Sequence, residues 1–582
     1  MSDVVAIKDQ VEAAVRAALS EVLPAELAGT DPVVRRSDRA DFQANGTLAV
    51  ARKAGRAPRD IGADVAVRLH GFAADVSGPG FLNVTVPDAA VWSAVAARLA
   101  DARLGLAAPH DGERVVVDYS APNVAKEMHV GHLRSSVIGD ALVRVLGHLG
   151  ARVTRQNHIG DWGTQFGMLI QYLEEHPEVS WKGQGAETMS ALDSLYKAAR
   201  AAFEADPAFA DRSRARVVAL QSGDDATLTA WRDLVAESER AFETVYRRLG
   251  VLLDGGDFDG ESRYNDALPG VVADLLASGV ATESDGAVVT FTDGVTGPDG
   301  DSVPLIVRKK DGGFGYAATD LATIRLRVEH YRADRILYVV DARQSLHFRM
   351  VFDTARRAGW LPAAVDAEHV PFGTVLGTDG RPFKTRSGRT VRLADLLDDA
   401  EAAVRTVLAG RSHGFTGAEL DAVVHAAAIA AIKYADLSTT RTRDYVFDVE
   451  QMVATTGDTG VYLQYAHARV RSILRRAAGA APTAVGHVDT TLPLHEAEKA
   501  LALTLDGLEA TLRDVAGTLE PHRLCGYLYE LATAFTRFYD ACPVLGAEDP
   551  AVRTNRLALC DLTGRTLATG LDLLGIPAPE RM

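Results

Sequence analysis

The chain has 582 residues, 47% hydrophobic and 24% charged, with a formal net charge of −16. Such a length accommodates about three to five domains, and no apolar run reaches membrane-spanning length. The acidic balance excludes a diffuse nucleic-acid coat but not a local basic groove, and Cys525, Cys542 and Cys560, far apart and without a CxxC pair, suggest neither a disulfide framework nor zinc and fit a reducing cytoplasm.

The stretch "VVAIKDQVEAAVRAALSEVL" carries charge inside its apolar pattern, which predicts an amphipathic helix and no secretory signal. "RAPRDIGADVAVRLH" predicts a second helix, and "GPGFLNVTVP" a turn and short strand. These make residues 1–108 a small α/β unit ending near "LAAPHDGE". From Val115 the pattern becomes strand–helix alternation, the signature of a parallel, doubly wound sheet. Val115, Val116 and Val117 form a strand; Leu133, Val137, Ile138, Ala141, Leu142, Val145, Leu146 and Leu149 mark one face of the helix that follows. "ARVTRQNHIGDWGTQFG" gives a second strand, turn and helix. A polar, mainly helical stretch intervenes, and the alternation is expected to resume with "SVPLIVRKK", "TDLATIRLRVEHY", "DRILYVVD" and a helix from Gln344. The sheet domain is therefore placed at 109–378 with an insertion at about 176–304. "VPFGTVLGTDGRPFKTRSGRTVRL" predicts a strand, a glycine-rich loop and a strand within a connecting region at 379–454, and residues 455–582 predict a helical bundle.

Three polar loops, the first two glycine-bearing, fall at the carboxyl edge of the predicted sheet, where such sheets bind ligands. The first, "SAPNVAKEMHVGHLRSSVIGD", runs into a helix whose free amides attract anions. "NHIGDWG" and "VVDARQSLH" are the other two.

"HVGH" at 129–132 resembles the HIGH signature of class I aminoacyl-tRNA synthetases, and its surroundings, with "GDWGTQFG", "YAATDLA", "YVVDARQSLHF", "KYADLSTTRTRDYVFD", "GVYLQYAHARVRSIL" and "LLGIPAPERM", are similar to the arginyl-tRNA synthetase family along nearly the whole chain. The resemblance implies a Rossmann-like catalytic domain, an N-terminal domain touching the tRNA elbow, and an all-α anticodon-binding bundle. It implies ATP-dependent activation of L-arginine to an adenylate, with magnesium accompanying ATP, and transfer to tRNA(Arg). Family members generally need bound tRNA even to form the adenylate. A cytoplasmic monomer without a membrane partner is expected.

Activation is an in-line attack of a carboxylate on the α-phosphorus of ATP, so the protein must position both partners and stabilise phosphate charge. His129 and His132 are donors suited to phosphate oxygens, and Gly131 permits close approach; the resemblance puts all three at ATP, with His129 also near the amino acid. A guanidinium is best met by carboxylates. Asp320 in "YAATDLA" is the matching acid, with Tyr316 four residues earlier on the same helix face. Asp118, Asn123 and Gln344 match positions for the α-amino and carboxylate end. Arg441, Arg443, Arg469, Arg471, Arg475 and Arg476 are candidates for tracking RNA phosphates. The chain departs from the class pattern at the second signature, KMSKS: in "GRPFKTRSG", Pro382 stands where the first lysine should be and Lys384 falls at the serine position. Lys126, three residues before His129, is expected to share the phosphate clamp with Lys384 and Arg386.

Overall fold

A computed structural model describes residues 4–182, 186–297, 299–383, 391–410, 414–480 and 488–582. The first helix, Ile7–Val22, buries Ile7, Val11, Val15, Ala18 and Leu19, the three- and four-residue spacing of one helix face. It packs beside helix Pro58–Arg68, which starts with proline at a position where a missing amide costs nothing. Both accompany an antiparallel sheet in the order Val34–Arg36, Phe42–Ala44, Phe81–Thr85, Ala73–Ser77.

The central sheet is parallel, in the order Asp366–His369, Arg335–Tyr338, Arg114–Asp118, Arg152–Gln156. The first of these in the chain, Arg114–Asp118, lies inside, flanked by the strands that follow it on either side. Its outgoing loop and that of Arg335–Tyr338 therefore diverge at a topological switch point, where a cleft opens. Helix Val130–His148 packs back on the sheet, and Gly139 permits this: a Cβ there would stand 2.4 Å from the Tyr119 side chain.

Between the second and third parallel strands come helices Ala186–Ala205, Pro207–Ser222, Asp225–Leu249 and Leu268–Ala277. The strand Ser302–Arg308, expected to rejoin the parallel sheet, instead pairs antiparallel with Ala287–Thr296, which pairs with Thr282–Ser284. Apolar alternation in "SVPLIVRKK" fixes a strand but not its partner. The second strand expected after the glycine-rich loop is also absent among the described residues: Arg392 makes only an isolated bridge with His129, and helix Leu393–Ala409 begins at once.

Beyond this point helices dominate, among them Gly417–Leu437, Gly460–Ala480, Glu496–Leu505, Leu508–Thr518, His522–Ala541 and Pro550–Leu573. The bundle holds the N-terminal unit through a buried ion pair. Arg98 Nη2 lies 2.7 Å from Asp506 Oδ1, with 3% and 5% of the two side chains exposed, and Asp506 Oδ2 accepts from the Ile7 amide at 2.7 Å. Removing one partner strands the other's charge in the interior. Asp506→Ala is expected to cost about 3–5 kcal/mol, whereas Arg98→Met with Asp506→Leu recovers most of that loss; thermal unfolding of the three proteins checks it. Among the described residues, no helix is long and apolar enough to cross a membrane.

Candidate active site

The first loop leaves the central strand under strain. Ser120, Ala121 and Ala125 have φ of 76°, 50° and 59°, values that cost non-glycine residues about 1–3 kcal/mol each. Fixed partners hold them. The Ser120 amide donates to Ser135 Oγ (2.8 Å), that of Ala121 to Asn157 Oδ1 (2.9 Å) and that of Ala125 to Ser238 Oγ (3.1 Å). Buried Tyr246 joins the two sides, its hydroxyl bonded to Ser120 Oγ and receiving the Asn157 amide. Asn123, exposed, bridges to Gly160, so the first two predicted loops lie side by side.

The loop ends in a reciprocal cap. His129 Nδ1 accepts from the Gly131 amide, and His132 Nδ1 accepts from the His129 amide, each at 3.0 Å. With Nδ1 an acceptor on both rings, the neutral tautomer carries its proton on Nε2, which remains available as a donor. Burial, then the Arg343 and Lys126 charges, lower His129; burial and the neighbouring His129 push His132 down to about 3. Both rings are thus neutral donors at physiological pH, with centroids 4.0 Å apart. The missing side chain of Gly131 also admits the histidine ring: a Cβ there would fall 2.7 Å from His129 Cε1. Lys126 is half-buried, its ammonium 4.8 Å from the Tyr196 ring centroid. Lys384 and Arg386 lie outside the described residues.

Helix Tyr316–Glu329 presents Tyr316, Asp320 and Arg327 to one side of the cleft. Tyr316 is 76% exposed at the rim. Asp320 Oδ2 is 2.6 Å from His347 Nε2, so the expected guanidinium acid is already oriented by a histidine that the sequence reading did not single out. A second acid stands near it. Burial raises Glu261 to about 7, with Asp161 and Asp320 adding to the shift against the opposing His158; Glu261 in turn raises Tyr316, after burial. Among the described residues the Glu261 carboxyl has no hydrogen-bond partner, leaving it open to a cationic ligand.

Behind these acids lies a buried network. Arg327 donates to Asp118 Oδ2 (2.7 Å) and Gln156 Oε1 (2.6 Å) and stacks 4.7 Å from the Tyr338 ring centroid. Asp118, expected at the α-amino and carboxylate end of the substrate, shares one oxygen with Arg327; its other accepts a long bond from the His158 amide at 3.4 Å. Burial disfavours charge on His158, but Asp259, Asp118 and Asp320 outweigh it and raise the imidazole to about 9. Gln344, exposed, precedes helix Ser345–Arg357 at the same sheet edge.

The arginines assigned to RNA separate into two kinds. Arg441 donates to the Leu519 and Pro371 carbonyls, Arg471 and Arg475 both pair with Glu580, and Arg469 lies 4.2 Å over the Tyr539 ring. Those four have partners within the chain. Arg443 and Arg476 are exposed, and Tyr465, on the helix that carries Arg476, is 47% exposed. Among the described residues no His, Cys, Asp or Glu group is arranged to hold a metal ion.

Comparison with known proteins gives this arrangement its place. The profile for "tRNA synthetases class I (R), catalytic domain" matches residues 94–449, that for the DALR anticodon binding domain 463–582, and that for the arginyl tRNA synthetase N terminal domain 9–86. The chain is 62% identical to the arginine–tRNA ligase of Frankia casuarinae over 99% of this chain and 98% of that one, and 52% identical to that of Streptomyces coelicolor over all of both. The solved arginyl-tRNA synthetase of Plasmodium falciparum superposes with TM-score 0.80 at 27% identity, covering 99% of each chain. That of Thermus thermophilus gives 0.78 at 26%, covering 99% of this chain and 100% of the other. The chain belongs to the arginyl-tRNA synthetase family of class I aminoacyl-tRNA synthetases.

Proposed function

We propose that the protein is an arginine–tRNA ligase. It converts L-arginine, ATP and tRNA(Arg) to arginyl-tRNA, AMP and pyrophosphate. The observation that carries this reading, beyond family membership, is the pair of neighbouring acids Asp320 and Glu261 beside the loop after Arg152–Gln156, together with two neutral histidine donors at the end of the loop after Arg114–Asp118.

The substrate guanidinium sits between Asp320 and Glu261, with the Tyr316 hydroxyl at the rim. Asp118, Asn123 and Gln344 receive the α-amino and carboxylate end. One carboxylate oxygen attacks the α-phosphorus of ATP; the bond to the β-phosphate oxygen breaks, and pyrophosphate leaves with that electron pair. His129 and His132 donate through Nε2–H to phosphate oxygens, costing no reorganisation as charge develops. Lys126, with Lys384 and Arg386, neutralises the departing pyrophosphate. ATP enters as its magnesium complex, a substrate rather than a resident metal. The 3′-terminal ribose hydroxyl of tRNA then attacks the adenylate carbonyl, its proton is lost, and AMP departs. Residues 455–582 read the anticodon, where exposed Arg476 contributes charge and Tyr465 a stacking face; Arg443 meets the RNA backbone from the connecting region 379–454. The N-terminal unit contacts the tRNA elbow. The enzyme works as a cytoplasmic monomer.

Charging purified tRNA with each amino acid tests the activity: arginine alone is transferred, and transfer of another residue instead would refute it. A pH dependence also follows. Glu261 is protonated below about 7 in the free enzyme and then offers the guanidinium no charge. Arginine kcat/KM should therefore rise as pH increases through about 7, and Glu261→Gln should flatten that limb while lowering the plateau.

A further inference from the structure

The insertion is tied to the phosphate side of the cleft at two points. Its helix Ala186–Ala205 places the Tyr196 ring 4.8 Å from the Lys126 ammonium. That ammonium also bears on both signature histidines, whose protonation its charge opposes. The Tyr196 ring and both signature histidines thus have the Lys126 ammonium as a common neighbour. Six residues earlier on the same helix, Ser190 Oγ donates to Glu127 Oε1 at 3.2 Å and accepts from Arg392 Nη1 at 2.9 Å, while Arg392 Nη1 reaches Glu127 Oε1 at 3.1 Å. Arg392 closes the glycine-rich loop, and its neighbours are bonded to the histidine segment: the Val130 amide to the Val391 carbonyl (3.0 Å) and the Leu393 amide to the Met128 carbonyl (2.9 Å). Lys126 and Glu127, adjacent in sequence, are thus gripped by one insertion helix from two sides.

We propose that this helix is part of the phosphate clamp and that Tyr196 is a positioning residue, its electron-rich face holding the Lys126 ammonium beside His129 and His132. A lysine on a flexible four-carbon stem is a poorly defined donor unless something fixes it. The negative face of an aromatic ring attracts an ammonium without neutralising it, so the cation stays available to phosphate. An acidic partner at the same place would compete with the substrate. The Ser190–Glu127–Arg392 triangle engages the Glu127 carboxylate with Ser190 and Arg392.

This inference rests on the assignment of Lys126 to the phosphates, and the experiment separates the two. Arginine- and tRNA-dependent ATP–pyrophosphate exchange is measured for Lys126→Ala, Tyr196→Leu, Tyr196→Phe and the Lys126→Ala/Tyr196→Leu double variant, with melting temperatures. Tyr196→Leu is expected to lower exchange kcat roughly tenfold, the scale of losing one desolvated cation–ring contact, with arginine KM unchanged. Tyr196→Phe keeps the ring and should retain nearly full activity, and the double variant should be no worse than Lys126→Ala. Pentafluorophenylalanine at position 196 preserves shape while removing the negative face; it should behave as leucine does, which a merely structural ring would not. Full exchange by Tyr196→Leu, a Phe variant as impaired as the Leu one, or a Leu loss that persists without Lys126 would overturn the role of Tyr196 while leaving Lys126 in place. Near-reference exchange by Lys126→Ala would overturn both.

Discussion

Lys126→Ala is expected to lower kcat for arginine activation by about 10²-fold or more, with arginine affinity nearly unchanged. The resemblance to the class implies signature lysines that clamp pyrophosphate, and in the register we propose Pro382 stands at the first of them. Pro382 is held in a backbone pairing: it bridges to Leu376, and the next amide, Phe383, donates to the Val375 carbonyl at 3.0 Å. That segment carries no cation at this position. Charge that builds on the leaving pyrophosphate must be met from elsewhere, and Lys126 is the cation on the first loop that bears on both signature histidines. Removing one preorganised donor from such a site costs about 10²–10³ in rate. A surface lysine would give a change of less than twofold, so the exchange rate of the alanine variant separates the two directly.

Asp320→Asn is expected to raise the arginine KM roughly tenfold to a hundredfold and to leave the ATP KM nearly as it was. The amide keeps the shape and can still accept from His347, but it no longer offers a charge to the guanidinium. A hydrogen bond to a charged group is worth about 1.5–3 kcal/mol, which sets the range; the remaining Glu261 keeps the loss from being complete. Steady-state kinetics with each substrate varied in turn provide the check. An unchanged arginine KM would remove Asp320 from the pocket and leave its bond to His347 as an internal support of the helix.

Much of this site was legible in the sequence because its parts are local. The strand at Val115, the polar loop and the apolar face from Leu133 announce a strand–loop–helix unit, and Tyr316 and Asp320 share a helix face by spacing alone. Glu261 was not legible. It belongs to a short 3-10 turn, Glu261–Tyr264, which the Glu261 amide bond to the Ile159 carbonyl and the Ser262 bonds to Asp161 bring to the cleft. No periodicity encodes those contacts. Arg327 lies on the same face as Asp320, yet in sequence it is one charge among several on a helix; only burial separates it from its neighbours Arg325 and Glu329. His347 ends the loop "VVDARQSLH", and nothing in the sequence points to its partner Asp320. The basic helix shows the converse: counting arginines cannot reveal that Glu580, beyond the last helix, neutralises both Arg471 and Arg475. Likewise, alternation marked Ser302–Arg308 as a strand, but the pairing that excludes it from the parallel sheet depends on Ala287–Thr296, read as part of a helical stretch.

Whether this cleft activates arginine and no other amino acid is read most directly from ATP–pyrophosphate exchange with each of the twenty amino acids, with and without tRNA(Arg). Exchange is expected with arginine alone, and only when the tRNA is present. Exchange driven by a different amino acid, or none with arginine in the presence of its tRNA, would contradict that expectation.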